Sequence, residues 1–578
     1  MFTKLTVRKF KGLAEAEIEL GNPVVFIGPN DSGKTSALQA LALWDLGLRR
    51  WMEKRADSAP ERRPGVAINR RDLTSVPVPS ARQIWRDLEV RRTYRNDSGK
   101  QRTENICIDV IVDGLTGASA WSCGLEFDFA NPESFYCRPL RTVPDGTERM
   151  PVPEQALRSQ VVLLGPMSGL AANETKLEPG AIRVRLGEGR TAEVLRNLCY
   201  QVVELPDGEN HWGTLSQRLE GLLGVQLDQP QLLAERGEIE LTYRTRDGVC
   251  LDLAASGRGM QQTLLLLAFI TLNPDSVALF DEPDAHLEIL RQRQTYDLLS
   301  EAASENGTQI IVASHSEIVL NEAAERGTVV AFVGSPHRLN KSSEVLKALR
   351  DIGFEDYYQA EITGLVLYLE GPTDLAILRS FATLIDHEAL RALERPFVHY
   401  VGNQPNEGRR HFHGLREAKP DLVGFALFDR LERDDLDATG GLVERMWPRQ
   451  EIENYLLPAV TLGRYAQEQG ASIYEGDLLA ANESHRWEEA MDNALRDRVP
   501  PAALRNPEDT YWLDAKISDD LLAPVFSTFS ETLGLRNSMS KADYHRLVDF
   551  LRPGEVHEDV VAALDAIAVQ HGRARPIS

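Results

Sequence analysis

The sequence predicts an α/β chain made of two successive units with parallel sheets, followed by a helical C-terminal region. Three observations predict it. A short apolar run at 24–27 leads into Gly28-Pro-Asn-Asp-Ser-Gly-Lys-Thr35 and then into a periodic helix from 36 to 48, the strand, loop and helix order of a phosphate-binding loop. Two further apolar runs end in Asp281-Glu282 and in Ser314-His315-Ser316. From 365 to 429, three apolar runs alternate with helical stretches and end at Glu370-Gly371, Gly402 and Asp429, the layout in which the carboxyl ends of parallel strands gather into one site.

The chain of 578 residues is too long for one core, and at about 150 residues per domain it holds three or four. Hydrophobic residues at 42% and charged residues at 26% are those of folded globular domains, which excludes a disordered chain. No apolar run approaches the roughly 18 residues of a membrane span, and the opening residues lack a signal-peptide core, so a cytoplasmic protein without a membrane partner is expected. Cys107, Cys123, Cys137, Cys199 and Cys250 are odd in number and never spaced Cys-x-x-Cys, which argues against a cysteine zinc site or a disulfide framework. The net charge of −23 excludes a surface coated in phosphate contacts. It leaves room for a local groove built on the arginine-rich stretches 49–63, 82–95 and 409–411.

In chain order, 2–10 and 14–20 alternate around Gly12 and read as a hairpin. The phosphate loop follows, with Gly28, Asn30, Ser32, Gly33, Lys34, Thr35 and Ser36 as candidate nucleotide contacts. Its amides and the start of the next helix face the phosphates, Lys34 reaches the outer ones and Thr35 holds Mg2+. Residues 49–79 form a polar, basic excursion, and 87–92, 105–112 and 121–129 are strand candidates. Residues 155–227 read as mainly helical without sustained heptads, and a strand pair at 238–244 and 249–253 precedes Ser256-Gly257-Arg258-Gly259. That Ser-Gly stretch opens a buried helix and offers an anion site at its start. In the following strand, Asp281 can fix Mg2+ and Glu282 can orient and deprotonate the attacking water. His315, after the next strand, is placed to sense a terminal phosphate.

Phosphate loop, Ser-Gly stretch, Asp-Glu and His occur in the order that resembles an ABC-type ATPase head, over 1–345 with a helical insertion at about 155–227. The resemblance implies ATP and Mg2+ as cofactors. Ser256, Gly257 and Gly259 would touch ATP held by a partner subunit, so a homodimer or higher oligomer through the heads is implied. Gln83 lies where such ATPases keep a glutamine near Mg2+, and Asp284-Ala-His-Leu resembles the loop that crosses the dimer interface.

Residues 346–460 resemble a toprim domain, on Glu370-Gly371, Gly402 and Asp429, with Glu451 or Glu453 completing the acidic set. Converging carboxylates repel unless divalent cations lie between them, and Mg2+ or Mn2+ bound there activates water for phosphodiester cleavage. The usual Asp-x-Asp is absent, because Asp429 is followed by Arg430-Leu431; Asp434 or Asp435, or one more loosely held metal, are the alternatives. The helical region 461–578 adds Lys541, a candidate for stabilising phosphate charge.

A head followed by toprim in one chain resembles the OLD (overcoming lysogenisation defect) family of endonucleases, including the nuclease of the Gabija antiphage system. That implies an ATP-regulated, metal-dependent endonuclease, cutting DNA in prokaryotic defence, with a helicase or phage-encoded trigger as a further partner. Glu453-Asn454-Tyr455-Leu456 is similar to the toprim effector of the PARIS defence system, which implies instead a fused sensor that cuts tRNA. An ATPase scaffold with a silent second domain is the third reading.

Overall fold

The phosphate-loop strand Val24–Ile27 is apolar at all four positions because both of its faces are covered. It lies inside a six-stranded sheet ordered Val161–Leu164, Val277–Asp281, Gln309–Ser314, Val24–Ile27, Thr328–Ala331 and His337–Leu339, parallel except for the last strand. The structure is a computed structural model that describes residues 1–55, 65–95, 101–143, 148–167, 170–171, 173–339, 353–431, 436, 440–457, 460–472, 477–506, 509–537 and 539–577. It divides into two units, Met1–Leu346 and Lys347–Ser578.

In the first unit, a six-stranded antiparallel sheet carries the expected hairpin, Phe2–Phe10 with Leu13–Glu19, next to Ile108–Thr116, Ser119–Asn131, Ser134–Pro139 and Val66–Asn69. The helix Lys34–Arg55 joins the two sheets into one core. Its Leu38, Leu41 and Trp44 cluster with Phe2 and Phe127 of the antiparallel sheet and with Phe26 and Ile311 of the parallel one. A buried amide fixes the same junction. Gln309 Oε1 accepts from the Phe2 amide at 2.7 Å, while its Nε2 donates to the carbonyls of Phe2 at 2.9 Å and Gly21 at 2.6 Å. Every polar atom of that buried side chain is thereby satisfied.

The expectation of a mainly helical 155–227 needs correction. Val161–Leu164 is a strand, paired in parallel with Val277–Phe280. A four-residue run of Val and Leu is too short to reveal its period, and its partner is distant in sequence. The helices are Pro179–Gly187, Leu195–Glu204 and Gly208–Leu223. The strand expected at 238–244 breaks at Leu241, since Glu238–Glu240 pairs with Gln231–Leu233 and Thr242–Arg244 pairs with Cys250–Asp252. The strand expected at 87–92 begins later, at Arg91–Arg95.

Asp109 in the antiparallel sheet stands directly opposite Glu126 on the next strand. Burial first, and then the Glu126 charge, push it up to about 6, against the pull of Arg8 and Lys9. A carboxyl whose folded value lies above its unfolded one stabilises the fold only while protonated. That contribution is therefore lost as pH rises from about 4 to about 6. Asp109→Asn is expected to raise stability by about 1 kcal/mol at pH 7 and to change little at pH 4. Urea unfolding at the two pH values checks this.

In the second unit, four parallel strands are ordered Phe397–Tyr400, Leu365–Leu369, Val423–Phe428 and Leu442–Met446. The last of these was not legible as a strand. Alternate residues face opposite sides of the sheet. Val366 and Tyr368 join Phe397, Phe412 and Leu415 in one core, with the helices Phe354–Thr363 and Pro405–Ala418. Leu365, Leu367 and Leu369 join a larger core with the helix Pro372–Leu384 and with Tyr465, Leu521, Leu547 and Leu564. The helices after 460, among them Val460–Ala471, Asp477–Arg496, Ala523–Leu533 and Glu558–Arg573, thus build one face of the same core. Among the described residues no helix is long and apolar enough to cross a membrane.

Candidate functional site

The chemistry-bearing residues of the first unit collect at the carboxyl ends of its parallel strands. Val24–Ile27 and Gln309–Ser314 are direct neighbours, as are Gln309–Ser314 and Val277–Asp281, so the phosphate loop, His315 and Asp281-Glu282 follow adjacent strands. Gly28 has no room for a side chain, because a Cβ there would lie 2.8 Å from Ser32 Oγ and 2.9 Å from Phe332. Gly33 adopts φ +98°, a conformation that other residues rarely take. Both glycines let the loop fold tightly.

Within that loop the Lys34 ammonium donates to the carbonyls of Gly28 and Pro29, each at 2.6 Å. Burial pulls Lys34 below its usual range, opposed by Glu282, Asp281 and Asp284. Thr35 Oγ1 donates to Asp281 Oδ1 at 3.0 Å. Burial lifts Asp281 to about 6 in spite of that bond. Ser32 Oγ is buried without a partner, a donor free for a phosphate oxygen. Asn30 is exposed and Ser36 half-buried in the first turn of the helix. Thr35 and Asp281 border a cavity of about 150 Å³ that Gln39, Ser75 and Glu188 also line. These residues fit a nucleotide with Mg2+: a buried cation, an unpartnered serine hydroxyl and a threonine hydroxyl paired with a carboxylate.

Glu282 sits at φ +50°, and its Oε1 is 3.8 Å from Nδ1 of the half-exposed His315. Gln262 donates to the Pro283 carbonyl at 3.1 Å, which ties the Ser-Gly helix Arg258–Leu272 to the acid loop. Ser256 Oγ donates back to the Leu253 carbonyl at 2.7 Å, Gly257 precedes the first helical residue, and a Cβ on Gly259 would press Leu287. None of Ser256, Gly257 and Gly259 lines the cavity beside Thr35. Gln83 is exposed in a short 3₁₀ turn.

In the second unit, Glu370 and Asp429 follow two neighbouring parallel strands and meet at their tips. Burial first, then the hydrogen bond to Glu370 and the charges of Glu370, Asp374 and Glu451, hold Asp429 far above the usual carboxylate range. Asp374 accepts the amides of Glu370 at 3.0 Å and Gly371 at 3.4 Å, and burial with the Glu370 charge lifts it to about 6.

Glu451 and Glu453 are both buried, on the segment that follows the fourth strand. Glu451 accepts the Ser518 amide at 2.5 Å and its hydroxyl at 2.9 Å, and Lys541 Nζ donates to that hydroxyl at 3.3 Å. Burial first, then Glu451, push Glu453 up to about 7, and its Oε1 has no hydrogen-bond partner. Lys516, ion-paired with Asp519 at 2.9 Å, also feels Glu451 and Glu370. Among the described residues no three of these acids bring their oxygens within 4.8 Å of one another. Gly402 takes φ +57° after its strand. Asp434 and Asp435 lie outside the described residues.

Asp374, Lys516 and Ser518 belong to this site but were missed. Asp374 had a local signal, four residues after Glu370 in the first turn of a helix; Ser518 and Lys516 had none. In the segment 453–456, Asn454 Nδ2 donates to the carbonyls of Trp512 and Ala515, each at 2.9 Å, and the Tyr455 hydroxyl donates to Asp559 at 2.8 Å. Asn454 and Tyr455 therefore anchor the acidic segment to the later helices.

Residues 193–321 match the family described as "AAA domain, putative AbiEii toxin, Type IV TA system". No curated protein matches the chain. Similar solved structures include the SMC head domain from Thermotoga maritima, at 15% identity and a TM-score of 0.33, covering 59% of this chain and 99% of that one. An SmcHead bound to the C-winged helix domain of ScpA has 14% identity and a TM-score of 0.35, covering 59% and 98%. An Smc head domain with an extended coiled coil, bound to the C-terminal domain of ScpA derived from Pyrococcus furiosus, has 14% identity and a TM-score of 0.33, covering 60% and 99%. The family match spans the Ser-Gly helix, the Asp281-Glu282 strand and His315. Residues 193–321 are thus similar to an AAA-type ATPase domain, and the phosphate loop follows the strand next to Gln309–Ser314.

Proposed function

We propose that the chain is an ATP-regulated, divalent-metal-dependent nuclease whose head controls the acidic site of its second unit. The observation that carries this reading is the placement of Glu370 and Asp429 at the tips of neighbouring parallel strands, together with the unpartnered buried oxygen of Glu453. An oxygen-only donor set suits Mg2+ or Mn2+ rather than softer metals. Bound there, such ions supply an activated water and stabilise the leaving oxygen of a phosphodiester. Glu370, Asp429, Glu451 and Glu453 would hold them, with Glu451 steered by Ser518. Lys541 and Lys516 bring positive charge for the substrate phosphate.

In the head, Lys34 and the loop amides grip the phosphates of ATP, Thr35 and Asp281 hold its Mg2+, and Glu282 orients water with His315 alongside. Ser256, Gly257 and Gly259 serve a nucleotide in a second copy, which makes the working head a homodimer. A role in defence against phage rests on the likeness to OLD nucleases, and the toxin named in the matched family's description agrees with it. Cleavage of supercoiled plasmid and of total tRNA by the whole chain, with Mg2+ or Mn2+ and with or without ATP, tests the proposal. Cut plasmid supports the DNA-cutting reading and cut tRNA the PARIS-like one. Failure to cut either while ATP turns over would favour the scaffold.

A further inference from the structure

We propose that Asp356, His399 and His411 form a binding site for a transition-metal dication of the Zn2+ type, to which none of the five carboxylates of the acidic site belongs. Among the described residues, this is the one trio of His, Cys, Asp or Glu whose ligand atoms all lie within 4.8 Å of one another. Three elements supply it: the helix Phe354–Thr363, the strand Phe397–Tyr400 and the helix Pro405–Ala418. Asp356 Oδ2 lies 3.0 Å from His411 Nε2 and 3.6 Å from His399 Nδ1. The two imidazole rings are stacked, 3.8 Å between centroids and 11° from parallel.

These separations suit one shared ion. Tetrahedral bonds of about 2.0–2.1 Å put neighbouring ligand atoms about 3.3 Å apart, between the two observed distances. A hydrogen bond from His411 to Asp356 accounts for one ring only. His399 Nδ1 is turned to the same oxygen, and because each imidazole lone pair lies in its own ring plane, a shared ion requires the two rings to swing out of their stack. The support around the trio is also that of a metal site. The Tyr368 hydroxyl lies 2.9 Å from His411 Nδ1; with an ion on Nε2 in place of the proton shared with Asp356, Nδ1–H would donate to that hydroxyl and hold the ring. Tyr368 and His399 are direct partners on adjacent strands, which sets His399 beside Tyr368 on the sheet. Asp356 and His399 remain 28% and 31% exposed, leaving a fourth position for water or a ligand atom. Two imidazoles and one carboxylate select Zn2+, Co2+ or Ni2+ over Mg2+.

The test uses the full chain, stripped with chelator and titrated with Zn2+ or Co2+ in excess Mg2+, which occupies the carboxylates. One equivalent of Zn2+ per chain is expected to survive gel filtration, with visible Co2+ absorption at the intensity of four- or five-coordination. His399→Ala and His411→Gln should each lose that equivalent, Tyr368→Phe should weaken it about tenfold, and Glu370→Gln should retain it. No retained Zn2+ in the wild type, or uptake unchanged in both histidine variants, would overturn the proposal. The wild-type Co2+ spectrum decides without any substitution, since weak six-coordinate absorption would also overturn it.

Discussion

Replacing Glu370 with glutamine is expected to lower phosphodiester cleavage by roughly 10³-fold or more, against the 10- to 100-fold that follows loss of an outer partner of a metal ligand. Glutamine keeps the size of the side chain and removes the charge. The negative charge it removes lies beside Asp429. Ser518→Ala is the comparison, because Ser518 touches Glu451 through its hydroxyl at 2.9 Å and reaches the substrate only through it. Its loss should fall in the smaller range. Initial rates on the substrate that the wild type cuts, at saturating Mn2+, separate the two variants. Equal losses would remove Glu370 from the set of ligands, and no loss in Glu370→Gln would end the nuclease reading.

Lys34→Ala is expected to reduce ATP turnover by about 10²- to 10³-fold, the scale of removing one preorganised positive donor from a phosphoryl-transfer site. Its ammonium is buried and bonded only to carbonyls of its own loop, so the variant loses a grip on phosphate and not an ion pair that holds the fold. Glu282→Gln makes the complementary case: it should bind ATP normally and fail to hydrolyse it. Phosphate release and nucleotide affinity, measured on both variants, assign the two roles. A cleavage rate indifferent to ATP, to ADP and to Lys34→Ala would break the coupling between head and nuclease.

What could be read from the sequence was whatever the chemistry concentrates locally. The phosphate loop needs its glycines, lysine and threonine within eight residues, and Asp281-Glu282 and His315 each follow an apolar strand directly. Glu370 and Asp429 were visible for the same reason, as acids at the ends of strands. Contributions that depend on distant partners were not legible. Val161–Leu164 completes its sheet only against Val277–Phe280. Ser518 matters only because Glu451 reaches it, and Asp356, His399 and His411 converge from three separate elements. The scan for cysteine spacing could not find that trio, which contains no cysteine.

The larger core of the second unit sets how this half of the chain can be divided. Leu365, Leu367 and Leu369 of the central strand pack with Tyr465, Leu521, Leu547 and Leu564, while Ser518 and Lys541 reach the acids from the same late region. A fragment stopped near 460 would expose an oily sheet face and orphan Glu451. Such a piece is a poor candidate for excision, crystallisation or transplantation. The portable module is the sheet together with its late helices, and any recombination that exchanges one for another must carry both.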